Sequence, residues 1–121
     1  MSSFWDFIVS VAETFAQPSD WQVEQSGSST IFKGSFPVFD RAGKIKLQVP
    51  GQIVEWQGLP TQVYLFNPPE FIKQHRHGSC LQLLRPNDNW FKLHFNKPAR
   101  DFASAYYYVE MFLTEAYNIS H

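Results

Sequence analysis

The densest run of reactive side chains in the chain is His75-Arg76-His77-Gly78-Ser79-Cys80, which holds the only cysteine. Three chemistries fit these residue types. In the first, Cys80 is a nucleophile: Arg76 and a protonated imidazole stabilise a thiolate, and acyl transfer through a thioester asks only for an accessible thiol, oxyanion donors and a docked acyl donor. In the second, His75, His77 and Cys80 supply two imidazoles and a thiolate to a metal, with His94 or His121 completing a tetrahedron. The two histidines share a side only if the segment is extended. Their spacing does not follow the paired Cys/His patterns of structural zinc, so the pattern assigns no metal and no cofactor. In the third, Cys80 is an inert buried thiol opening the apolar run Cys80-Leu81-Gln82-Leu83-Leu84, as free cysteines commonly are.

The elements that must position this run are legible from periodicity. Phe4, Phe7, Ile8, Val11, Ala12 and Phe15 recur at helical spacing and predict an N-terminal helix, capped by Ser2 or Ser3 and ended at Pro18. Strands are expected at Trp21–Gln25, at Thr30–Phe39 with Gly34 and Pro37 as bulge or edge positions, at 44–49 and at Thr61–Phe66. Within 44–49, Ile45, Leu47 and Val49 should face the core. Turns are expected at Ser26–Ser29, Asp40–Gly43, Pro50-Gly51 and Gly58–Pro60. Phe71–Ser79 reads as polar and irregular, Cys80–Leu84 as short and apolar, and Trp90–Phe95 as a further candidate strand. Phe102, Ala105, Tyr106, Val109, Phe112, Leu113 and Ala116 form one helical stripe, predicting a long C-terminal helix with Pro98 near its first turn. Three consecutive tyrosines at 106–108 span about 200° of that helix, so Tyr106 joins the stripe while Tyr107 and Tyr108 flank it.

This order describes an α+β plan within a single domain over residues 1–121: an N-terminal helix, an antiparallel meander of about four strands, an irregular segment holding the cysteine, and a long closing helix. Composition bounds the rest. Ten basic and eleven acidic residues give a net charge of −1, which does not suit a nucleic-acid partner. All ten Lys and Arg lie within residues 33–100, leaving both ends acidic. Lys33, Arg41, Lys44 and Lys46 cluster around one hairpin, as a solvated face or as a docking surface for an acidic partner. One cysteine cannot form an internal disulfide, no apolar run reaches membrane-spanning length, and the first residues lack the basic character of a signal peptide. A soluble protein in the cytoplasm, away from membranes, is expected. Aromatics are abundant, with 12 Phe, 5 Tyr and 4 Trp, which implies an aromatic core or a binding surface.

Pro68-Pro69, His75-Arg76-His77, Gly78-Ser79-Cys80-Leu81-Gln82-Leu83 and Trp90 follow one another in an order that resembles the ubiquitin-conjugating enzyme fold, in particular its shortened bacterial members. The resemblance implies a ubiquitin-conjugating-like α+β fold. It places Cys80 at the family's thioester-forming cysteine, His75 at the structural histidine of the His-Pro-Asn tripeptide, and His77 at that tripeptide's asparagine, which supports the oxyanion or the loop. Trp90 falls near the family's tryptophan that packs under the site. Arg76 stands where the family has proline, His77 where it has asparagine, and Phe66-Asn67 where it has Tyr-Pro. Two functions are implied: a non-catalytic module binding a protein partner, and a thioester carrier for a ubiquitin-like modifier with Cys80, His77 and His75 as its site. The absent asparagine tilts the balance toward the first.

Overall fold

A computed structural model describes residues 21–74, 90–96 and 99–121, and the backbone of 81–86. The architecture is α+β. Six strands, β1 (Gln22–Ser26), β2 (Ser29–Phe39), β3 (Ile45–Trp56), β4 (Leu59–Phe66), β5 (Leu81–Pro86) and β6 (Trp90–Phe95), form one antiparallel sheet in the order β1-β2-β3-β4-β6-β5. Helix α1 (Glu70–Gln74) connects β4 to the segment before β5, and α2 (Phe102–Ser120) closes the fold. The first four strands are the expected meander, but the sheet has six strands rather than about four. Trp90–Phe95 pairs with β4, and 81–86 pairs outside it as the sheet's edge. Pro68-Pro69 therefore closes β4, not the last strand. The expected N-terminal helix falls outside the described residues. Among those residues no helix is long and apolar enough to cross a membrane.

The turns follow from backbone chemistry. Gln57 and Gly58 both have positive φ, at 52° and 82°, the combination a two-residue hairpin needs to match the twist of its strands. The turn is therefore one residue earlier than expected, and Leu59-Pro60 already belongs to β4. In the next hairpin Asp40 Oδ1 accepts the N–H groups of Ala42 and Lys44, both at 2.9 Å. These amides hold the Asp40 carboxyl below the ordinary range, with Lys46 and Lys44 adding to the effect.

Two prolines sit inside strands without breaking them. β1 reaches only as far as Lys33, so among the described residues the half of β2 that contains Pro37 has a strand neighbour on one side alone. There a missing donor costs no ladder bond. Pro50 lies in the matching half of β3, because pairing with β4 starts at Gly51. The expected turn at Pro50-Gly51 is thus absent, and β3 runs straight through it. Gly51 serves close approach instead: a Cβ there would collide with the Tyr64 carbonyl oxygen and come within 2.8 Å of the Phe36 ring.

The core lies between the sheet and α2. Phe32, Phe36, Val38, Val49, Ile53, Val63, Leu65, Phe91, Leu93 and Phe95 alternate along the strands on one face. Every residue of the predicted α2 stripe, from Phe102 to Ala116, is buried against them. Tyr106 is buried and its two tyrosine neighbours are half-buried, as the helical geometry requires. Within 44–49, Val49 is buried and Leu47 half-buried, while Ile45 at the strand's start stays exposed. α2 begins at Phe102 with Asp101 as its N-cap, accepting the Ser104 N–H at 2.9 Å. Pro98, expected near the first turn, lies outside the described residues. Trp21 also departs from expectation: it precedes β1 and fills the core edge-on to Phe36, Phe102 and Tyr106.

Candidate functional site

His75, His77 and Cys80 lie outside the described residues. What frames them is described. Upstream, α1 occupies Glu70–Gln74, where the sequence suggested an irregular segment. Its start is set by Pro69, whose carbonyl accepts the Ile72 N–H at 3.0 Å. Ile72 is buried, and Phe71 packs edge-on against Tyr117 and His121 of the α2 end. Downstream, Leu81 opens the edge strand β5 and pairs with Phe95.

The two histidines offered as supplementary metal ligands are separated by the sheet. His94 sits on β6 between the buried Leu93 and Phe95, so it projects from the face away from α2 and is exposed. His121 follows α2, stacked on Tyr117 at 4.2 Å between ring centroids, with its Nδ1 3.0 Å from the Tyr117 carbonyl. One site cannot use both. Among the described residues no three His, Cys, Asp or Glu side chains are grouped to hold a metal.

The sheet face away from α2 carries a different kind of surface. No described helix packs there. Cross-strand partners Trp56 and Leu59 are 50% and 46% exposed at the β3–β4 tip. Ile31 and Val54, also partners, lie behind them half-buried. Further across, Tyr64 meets Trp90 edge-on at 5.9 Å, and Lys92 Nζ stands 5.8 Å from the Tyr64 ring centre. Trp90 sits on β6 beside Phe66 with its ring against Tyr64.

One buried group escaped the sequence reading. Glu110 of α2 is 0% exposed, and among the described residues neither carboxylate oxygen has a hydrogen-bond partner. Desolvation alone pushes its pKa up to about 8. The signal was present: position 110 lies one turn from Tyr106 and one turn before Thr114, inside the buried arc of the helix. Glu55 is also raised, by partial burial and by the Asp101 charge.

No protein family, curated protein or solved structure matches this chain.

Proposed function

We propose that this chain is a cytoplasmic protein-interaction domain of ubiquitin-conjugating-like type that docks a protein partner without chemistry at Cys80. The reading rests on one observation: the exposed Trp56–Leu59 pair, which shares the sheet face away from α2 with Ile31, Val54, Tyr64 and Trp90. Aromatic rings in such a patch are the common anchors of protein interfaces.

The test compares three forms purified from the native cell: the wild type, Cys80→Ser, and Trp56→Ser with Leu59→Ser. Partners are identified by mass spectrometry, and affinity is then measured with the purified pair. The expected result is a partner retained by Cys80→Ser and bound about tenfold or more weakly by the double variant. Melting curves of the double variant should stay close to wild type, because both side chains are exposed. A partner joined to Cys80 by a reductant-sensitive bond and lost in Cys80→Ser would establish the thioester carrier instead.

A further inference from the structure

Four basic side chains cluster around the β2–β3 hairpin in sequence, and the structure divides them. Lys33 is spent: its Nζ lies 2.6 Å from Glu24 Oε2 on β1. Arg41, Lys44 and Lys46 gather at the other end of β2. Arg41 and Lys46 line a shallow pocket of about 300 Å³ with Asp40, Tyr117, Asn118 and His121, between the hairpin loop and the end of α2. Lys44 does not line it but lies in the same loop, its backbone N–H on Asp40 Oδ1.

One carboxylate lines this pocket: Asp40, which stays charged and whose charge Lys46 and Lys44 partly offset. Asp40 Oδ1 accepts two loop amides. Two carbonyls at the end of α2 have donors: Arg41 Nη2 donates to Asn118 O at 3.1 Å, and the His121 N–H donates to Tyr117 O at 3.0 Å. These bonds offset the negative end of the helix dipole. The cations outnumber that carboxylate. Arg41 uses one of its five N–H donors in that bond, and neither Lys44 nor Lys46 has a carboxylate within ion-pair distance among the described residues. All three side chains are exposed.

We propose that this pocket receives the carboxylates of an acidic peptide segment, with Arg41, Lys44 and Lys46 as the contacting cations. The proposal rests on the protein-docking reading above and names the chemistry of a second contact. It uses a different place, because Lys46 and Trp56 are ten residues apart along β3, a span of roughly 30 Å. A peptide fits better than a nucleic acid: the cationic cluster is small, and the Tyr117 ring beside it already stacks on His121.

The test is fluorescence anisotropy of the full chain with fluorescein-labelled octaglutamate, run against labelled octathymidylate and octaserine. Octaglutamate should bind saturably and more weakly as salt rises from about 50 to about 200 mM. Lys44→Glu with Lys46→Glu should weaken it about tenfold, while Lys33→Glu should change it by no more than about twofold. The Trp56→Ser, Leu59→Ser variant should bind octaglutamate like wild type, so either contact can fail alone. Absent octaglutamate binding, tighter binding of octathymidylate, or equal loss in Lys33→Glu would each overturn the proposal. Melting curves confirm that the double variant remains folded, and Lys46→Ala gives a milder second measurement.

Discussion

The indole of Trp21 lies directly on the backbone of Gly34, occupying the space where any other residue would carry its Cβ. The ring is held edge-on by Phe36, Phe102 and Tyr106 at centroid distances of 5.1, 5.4 and 5.8 Å. It therefore cannot step aside as a flexible chain end would. Gly34→Ala should destabilise the fold by about 2 kcal/mol through overpacking, read as a lower midpoint in denaturant unfolding. The penalty should shrink in a Trp21→Leu background, because the clash partner is gone, and a double-mutant cycle measures the difference. Gly58→Ala is the contrast: its Cβ meets nothing, but φ is +82°. That substitution should cost about 1 kcal/mol from backbone strain and show no coupling to Trp21.

Phe39 ends β2 where, among the described residues, no strand flanks it on the outer side, and α2 packs there instead. Thr114 Oγ1 accepts the Phe39 N–H at 3.3 Å, and Asn118 Nδ2 donates to the Phe39 carbonyl at 3.1 Å. Thr114→Val keeps the shape and removes the acceptor. It should cost about 2 kcal/mol by orphaning a buried amide and speed hydrogen exchange at the Phe39 N–H. Thr114→Ser retains the oxygen and should preserve that protection, even though it loses a methyl group.

These contacts mark how far the sequence carries. The α2 stripe and the hairpin strands were legible because side-chain period alone specifies them. The course of β3 through Pro50-Gly51 was not, because local turn chemistry competes there with a tertiary arrangement: β4 pairs only from Gly51 onward, and Gly51 is pressed against Tyr64 and Phe36. α1 was missed because five residues are too short for a periodic signal. The edge strand at 81–86 was seen only as an apolar run, which a strand and a buried loop share. Of the candidate site, the sequence offered residue types near Cys80, and the exposed Trp56–Leu59 pair emerges only once register puts the two side by side.

Asp101 caps α2 from an extended backbone, with φ of −158°. Its carboxyl is held below the ordinary range, first by the Ser104 amide and then by the Ser104 side chain. Asp101→Ala should lower stability by about 1 kcal/mol, whereas Asp101→Asn, which keeps an acceptor, should cost less. Because the folded pKa is depressed, the charged cap contributes above the ordinary carboxylate pKa and is lost as pH falls through the folded value. The gap between wild type and Asp101→Ala should therefore narrow in acid, as followed by thermal unfolding.

Glu110 imposes the opposite pH dependence. Buried with no hydrogen-bond partner among the described residues, it stays protonated in the folded chain up to about pH 8, while in the unfolded chain it ionises near the ordinary value of 4.5. Unfolding thus releases a proton between those two values, and stability must fall as pH rises through that window. The slope is about 1 kcal/mol per pH unit, flattening above the folded pKa. Glu55, also raised, adds a smaller effect of the same sign. Glu110→Gln removes the titration and should flatten the profile between about pH 5 and 8. Glu110→Leu removes both the titration and the unsatisfied oxygens, and should be more stable than wild type at pH 7 by on the order of 1–3 kcal/mol. Urea unfolding across pH distinguishes the cases. A wild-type profile as flat as that of Glu110→Gln would mean that the carboxyl finds a hydrogen-bond donor when the domain is folded.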